Sequence, residues 1–362
     1  MASAPPSSEA ANSSSRRTFT IGTRKSKLAL LQTDLVAAAL KKSWPEYTFQ
    51  IHSQETAGDK NTVIALREFT TKNLWTQELE ELLMAGDVDL IVHSLKGGFI
   101  APASECYVLA TNRRLILDVP TQLPPSCTLG PMMKREDTSD VLVMKKGLPN
   151  MTFSEMPAGS VVGTSSIRRT AQLARRYPHL KVQDVRGNIG TRLAKLDAED
   201  SPFTCIILAA AGLLRLGLED RISQYLDSKN SGMLYAVGQG ALGVEIRKDD
   251  KLVRDMLKSI GHHETTMACL AERSLLRTLE GGCSAPLGVE TEWVQDSDGS
   301  SKLRMRAIVV SVDGRESAEV EVDGSVDTAE SAEEFGVTVA KALVEKGAGE
   351  ILEEIQRKKL TP

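Results

Sequence analysis

Ser160 to Arg176 reads SVVGTSSIRRTAQLARR: a short β-rich run, a Thr-Ser-Ser turn, then helical periodicity from Ile167 to Arg176. The same alternation continues downstream, with LKVQDVRG before a helix from Thr191 to Leu196 and TCIILAAAG before a short helix. Upstream it has already occurred as TFTIGT before Leu28 to Lys42, YTFQIHS before Trp75 to Met84, and VDLIVHS at 88–94. Strands alternating with helices predict parallel sheets with helices on both faces, and the chain holds two such units. After ALGVEIR (241–247) the pattern changes. A helix from His263 to Leu279 halts at Gly281-Gly282, the strands LRMRAIVVSV and SAEVEVDG follow, and helices from Ala332 to Lys346 and near the terminus close the chain. Strands first and helices later predict a third, smaller α+β domain.

The length of 362 residues agrees with two or three domains at roughly 100 to 200 residues each. Apolar residues at 41% and charged residues at 25% are those of a folded globular chain, not of a disordered, collagen-like or coiled-coil one. A net charge of -4 argues against a general nucleic-acid binder. An anionic ligand must then be held by local basic clusters. The longest strongly apolar run, Cys205 to Leu214, is half of the ~20 residues a membrane helix needs, so no membrane association is expected. Five cysteines without a CxxC pair suggest neither a disulfide framework nor a zinc site, and reduced thiols in the cytoplasm fit best. Residues 1–17, rich in Ser, Ala and Pro, read as a disordered tail without a secretory signal.

Three basic clusters fall where a strand's C-terminal end meets the next helix: Thr23-Arg24-Lys25-Ser26, Thr164-Ser165-Ser166-Ile167-Arg168-Arg169, and Arg186-Gly187-Asn188-Ile189-Gly190-Thr191-Arg192. Cations in a helix's first turn are unfavourable by ~0.3 to 1 kcal/mol each, so their repetition calls for a compensating anion. Backbone N–H groups and hydroxyls at a helix N-terminus bind carboxylate or phosphate, and arginine adds a bidentate fork. A single cluster reads equally as a solvated charged face with ordinary caps; three at equivalent places favour a polyanionic small molecule in an interdomain cleft. On that view, an apolar residue at 168 or 169 relieves a first-turn cation and impairs binding more than folding. Cys283 lies in LEGGCSAP, where flanking glycines and Pro286 describe an exposed loop with an accessible thiol; a lone cysteine is otherwise a small core residue. Asp118 alone reads as a turn residue, and His93 as a hydrogen-bonded core or boundary histidine.

Together IGTRKSKLALLQ, AGDK, DLIVHSLK, DVPTQLPP, VVGTSSIRRTAQL, VRGNIGTRLAKLD, YAVGQGALGVE and LRTLEGGCSAP resemble the porphobilinogen deaminase family. The resemblance implies two domains like those of periplasmic binding proteins with a cleft between them, spanning 18–135 with 239–257 and 136–238, and an α+β domain over 258–362. It implies a dipyrromethane cofactor joined by a thioether to Cys283, onto which four porphobilinogen units are added before the tetrapyrrole is released. Each pyrrole carries an acetate and a propionate, so the growing chain is a polyanion. By motif position Arg24, Ser26, Lys96, Thr164, Ser165, Ser166, Arg168, Arg169, Arg186, Arg192 and Arg215 bind those acids. Asp118 matches the catalytic aspartate, which could stabilise the cation left when ammonia departs and shuttle its proton. No metal or nucleotide is needed, and a monomer is the expected state.

The sequence departs from the family at that aspartate. The pattern HSLKDVP makes Lys96 and Asp118 neighbours, yet Gly97 to Leu117 (GGFIAPASECYVLATNRRLIL) separates them. Closing such a loop costs about 2.7 kcal/mol, so thermodynamics does not forbid it; returning both ends to adjacent positions is the harder requirement. A lesser departure is Thr70 to Trp75 (TTKNLW), where the family has glycines and phenylalanine around the lysine. The competing readings are a deaminase-like chain inactivated by residues 97–117 and a non-catalytic anion-binding protein of the same fold.

Overall fold

The computed structural model describes residues 18–55, 77–96, 123–279, 286–295 and 299–360. The first sheet has the order β2-β1-β3-β10-β4, from β1 (Thr18–Arg24), β2 (Thr48–Gln54), β3 (Leu90–Ser94), β4 (Cys127–Leu129) and β10 (Leu242–Arg247). The second has the order β7-β6-β8-β5-β9, from β5 (Asp140–Met144), β6 (Val161–Gly163), β7 (Lys181–Gln183), β8 (Cys205–Ala209) and β9 (Gln224–Leu226). The two sheets share one plan. In each, four strands run one way, three of them paired in parallel as the alternation predicts, while β10 and β5 run antiparallel to both neighbours, so both sheets are mixed rather than parallel. The cause is the chain's path. It leaves the first lobe through 130–139 directly into β5 and returns through 227–241 directly into β10, so each lobe takes one strand from a crossing segment.

Helices cover the sheets: α1 (Lys27–Ser43), α2 (Gln77–Ala85) and α6 (Lys251–Ile260) in the first lobe, with α3 (Ile167–Arg176), α4 (Ile189–Asp197) and α5 (Ala210–Arg215) in the second. The apolar run from Cys205 divides between β8 and α5, which is why it is long without being a single element. Along β5, Leu142 and Met144 pack in a core with Leu173 of α3, whereas Val141 and Val143 pack with Leu193 and Leu196 of α4 and Leu213 of α5. Period-two alternation with both faces buried is what helices on both sides require.

The third unit is the antiparallel sheet β11 (Leu287–Gln295), β12 (Ser301–Val310) and β13 (Ser317–Gly324), packed against α7 (His263–Leu279), α8 (Ala329–Glu345) and α9 (Ala348–Leu360). Its core joins Leu275, Val289, Met305, Phe335, Val339 and Leu343. Thr328 and Ser331 form a reciprocal capping box at the start of α8. This unit is fastened to both crossing segments. Arg135 donates to Glu272 (2.9 Å), Thr291 (2.6 Å) and the Tyr235 hydroxyl (3.3 Å), and the Gly238 N–H donates to Glu272 (2.7 Å).

Candidate functional site

In both lobes the winding reverses at the central parallel strand, which marks the C-terminal ends of β1 and β3, and of β6 and β8, as the place where a sheet of this kind holds a ligand. The three basic clusters occupy these ends or the neighbouring end of β7. The helices that follow, α1, α3 and α4, carry no acidic residue in the first turn.

In the first lobe Ser26 caps α1, its Oγ accepting from the Ala29 N–H (3.3 Å), and half-buried Arg24 ends β1. Lys96 is exposed two residues past β3. The start of α1 meets the second lobe at Gly212 of α5. A Cβ there would lie 2.6 Å from Ile189, the first residue of α4, and 4.0 Å from Leu28 of α1. The first and third clusters are thereby brought to one helix of the second lobe.

The second cluster is built differently from the sequence-based expectation. Thr164 Oγ1 accepts from the Ser166 N–H (3.2 Å), Ser165 Oγ donates to the Val185 carbonyl (2.9 Å), and Ser166 caps α3 without a side-chain hydrogen bond. Arg168 and Arg169 are 5% and 7% exposed and already hold an anion, Asp140 at the start of β5. Arg168 Nη1 donates to Asp140 Oδ2 (2.8 Å); Arg169 donates through Nη2 to Oδ1 (2.7 Å) and through Nε to Oδ2 (3.1 Å). Arg169 also donates to the Ile207 carbonyl (2.7 Å). Burial alone would push the Asp140 carboxyl up, but the two guanidiniums hold it well below the usual carboxylate range. An apolar residue at 168 or 169 therefore strips a buried carboxylate of a partner rather than relieving a first-turn cation.

In the third cluster Asn188 caps α4, and Gly187 (φ +114°) stands where a Cβ would come within 2.8 Å of Thr191. Exposed Asp184 pairs with Arg186 at 2.7 Å. Arg192 donates Nε to the Gly187 carbonyl (2.7 Å), and among the described residues no carboxylate pairs with it. Burial, and then the Arg169 cation, bring its pKa down to about 10. Arg215, at the end of α5, donates to the Gly240 carbonyl (2.7 Å), while its buried Nε has no hydrogen-bond partner among the described residues. Burial lowers its pKa and Glu136 opposes the shift.

Residue patterns gave no sign of Asp140, whose only sequence signal is a charge at the start of an apolar strand. His93 is 4% exposed, with Nε2 3.3 Å from the Glu245 carboxylate of β10, which makes it a core residue. Three cysteines are buried, and burial is the main cause that pushes their thiols up: Cys127 to about 11, Cys205 and Cys269 to about 12. Cys283, Asp118, the tail at 1–17, the run 97–117 and Thr70 to Trp75 lie outside the described residues.

The family model for the porphobilinogen deaminase, dipyromethane cofactor binding domain matches residues 19–115 and 116–255. The chain belongs to the porphobilinogen deaminase family. The family's C-terminal domain model matches 266–345. The two segments of the first match meet inside the run that separates Lys96 from Asp118. The chain is 47% identical to the porphobilinogen deaminase of Schizosaccharomyces pombe over 94% of its length and 95% of that protein's. It is 48% identical to that of Yarrowia lipolytica over 92% of each, and 46% identical to that of Neurospora crassa over 95% and 96%. Among solved structures, the VFT2 domain of Bordetella pertussis BvgS is similar over 70% of this chain and 92% of that one, with TM-score 0.37 and 11% identity. The effector-binding domain of a BenM variant is similar over 71% and 95%, with TM-score 0.36 and 12% identity.

Proposed function

We infer that the chain is a hydroxymethylbilane synthase, condensing four porphobilinogen units head to tail on a dipyrromethane primer and releasing ammonia. The observation that carries this reading is Arg192, a half-buried guanidinium near that of Arg169: its Nε donates to the Gly187 carbonyl, and no carboxylate is paired to it among the described residues. A cation kept in that setting favours an anion supplied from outside the protein.

The donor set fits a chain of pyrrole acids. Arg192, the orphan Nε of Arg215, the uncommitted hydroxyl of Ser166 and the amides at the start of α3 are donors in search of acceptors. Arg24, Ser26, Lys96, Thr164, Ser165 and Arg186 are the further residues that would line the path of the acids, and Arg168 and Arg169, engaged by Asp140, brace the turn that carries Thr164 to Ser166. When bound, the dipyrromethane would supply the carbon nucleophile for the first unit, each later unit joining the terminal pyrrole of the growing chain. Cys283 holds it: of the remaining cysteines, Cys127, Cys205 and Cys269 are buried with raised thiol pKa values, which makes them poor nucleophiles. Asp118 carries the proton to the departing amine. The sheets support functional units at 18–135 with 239–257, 136–238 and 258–362. No helix among the described residues is long and apolar enough to cross a membrane; a monomer working in the cytoplasm is part of the same proposal.

The test is to treat purified protein with an aldehyde reagent for pyrroles and to record its intact mass. A bound dipyrromethane gives colour and added mass. A protein showing neither, and forming no hydroxymethylbilane from porphobilinogen, overturns the reading in favour of a non-catalytic anion binder.

A further inference from the structure

The motif VGQGAL at 237–242 lies where all three units of the fold meet. Gly238 (φ +69°) and Gly240 (φ +83°) are left-handed, and a Cβ at either would collide with backbone. At 238 it would lie 2.5 Å from the carbonyl oxygen of Leu95, just past β3; at 240 it would lie 2.4 Å from that of Glu136 in the other crossing segment. Between them Gln239 is 1% exposed. Its Nε2 donates to the Thr138 carbonyl (2.7 Å) and to Asp140 Oδ1 (2.9 Å). One side chain of the returning segment therefore grips the outgoing segment and also touches the carboxylate that holds Arg168 and Arg169.

A connection that needed only to bend would be served by the backbone bond already present, Glu136 N–H to the Gly240 carbonyl (3.2 Å). The buried amide adds something else. Its two N–H groups diverge at a fixed angle, so both acceptors are satisfied only while Thr138 and Asp140 keep their separation from the returning segment. Moving one segment without the other leaves either the Thr138 carbonyl or a buried N–H of the Gln239 amide without its partner, which disfavours that arrangement roughly 5- to 150-fold.

We propose that Gln239 is a positioning residue that ties the relative orientation of the two lobes to the Asp140–Arg168–Arg169 anchor, so that both crossing segments and the turn after β6 shift as one unit while the pyrrole chain lengthens. The proposal rests on the deaminase reading: a crevice that holds two pyrroles at the start and six at the end must change shape between additions.

The test compares the holoenzyme with Gln239→Met, of similar length but without donors, and Gln239→Asn, which keeps the donors on a stem too short to reach both acceptors. Hydrogen–deuterium exchange reads residues 135–140 and 236–241. Intact mass during turnover counts the pyrrole units attached to the protein, and kcat and KM are measured separately. Both variants should retain the cofactor. Exchange in the two segments should rise together by about fivefold or more in the Met variant, and kcat should fall at least about fivefold while KM changes less than about twofold. Partly elongated enzyme should accumulate at a particular stage, with the Asn variant intermediate. If the Met variant does not fold, the Asn variant carries the same comparison. Unchanged exchange in the two segments, or an unaltered distribution of elongation states, overturns the proposal even where stability drops. Absence of any pyrrole-bearing mass in the unsubstituted protein overturns the deaminase reading and the proposal with it.

Discussion

Replacing Arg169 by Met removes three hydrogen bonds, two to Asp140 (2.7 and 3.1 Å) and one to the Ile207 carbonyl (2.7 Å). Asp140, 1% exposed, keeps Arg168 at 2.8 Å and Gln239 at 2.9 Å, so its charge is not left wholly uncompensated. Breaking a buried pair by removing one partner costs about 3–5 kcal/mol, and the surviving partners put Arg169→Met near about 3. Asp140→Asn leaves two buried guanidiniums without their countercharge and belongs near about 5. At roughly 2–3 °C per kcal/mol for a unit of this size, the expected losses in Tm are about 6–9 °C and about 10–15 °C. Because the folded pKa of Asp140 is depressed, its contribution is fully present above the unfolded value of about 3.9 and is lost only as the pH falls through the lower, folded one. Melting scans at pH 6, 7 and 8 should therefore give the same differences. The double variant Asp140→Asn, Arg169→Met removes one charge of each sign, and its loss should fall short of additivity by about 1 kcal/mol or more. Arg192→Gln is the contrast. With no carboxylate to orphan, it should change stability by less than about 0.5 kcal/mol while weakening retention of the pyrrole chain. Losses below about 1 kcal/mol for both Asp140→Asn and Arg169→Met, or strict additivity between them, would refute Asp140 as their shared countercharge.

Two further outcomes bear on the residues that carry the chemistry. Cys283→Ser should fold yet show no cofactor by intact mass, because a hydroxyl is a far poorer nucleophile than a thiolate; cofactor still attached covalently to that variant would move the linkage elsewhere. Deleting Gly97 to Leu117 should restore or raise hydroxymethylbilane formation, since misplacing a catalytic carboxylate by ~1 Å can cost about a hundredfold, and Asp118→Asn in the shortened chain should nearly abolish turnover with the cofactor still bound. A fall in activity on deletion would make the run a working part of the enzyme, and full turnover by the Asn variant would remove Asp118 from the catalytic role.

Period and punctuation made the architecture legible in the sequence, because strand-to-helix alternation and turn residues act locally. The helix read from His263 to Leu279 has those limits in the structure, and the one read from Leu28 to Lys42 extends one residue further at each end. The antiparallel strands β5 and β10 were not legible. Their direction depends on a crossing between lobes that no local pattern encodes, and each reads as an ordinary apolar run. The same distinction separates the arginines. Arg168 and Arg192 follow strand ends in similar basic turns, and nothing beside them in sequence distinguishes a paired guanidinium from an unpaired one. The difference is made 28 residues before Arg168, at Asp140, whose burial beneath α3 gives one cluster an internal anion, while among the described residues no carboxylate pairs with Arg192. Charge type and position along a strand were therefore enough to place the basic clusters at strand ends, but not to tell which of their cations are engaged by the protein. That division is set by long-range packing: a carboxylate that is 1% exposed in the middle of such a cluster engages Arg168 and Arg169, while Arg192, beyond its reach, has no carboxylate partner among the described residues.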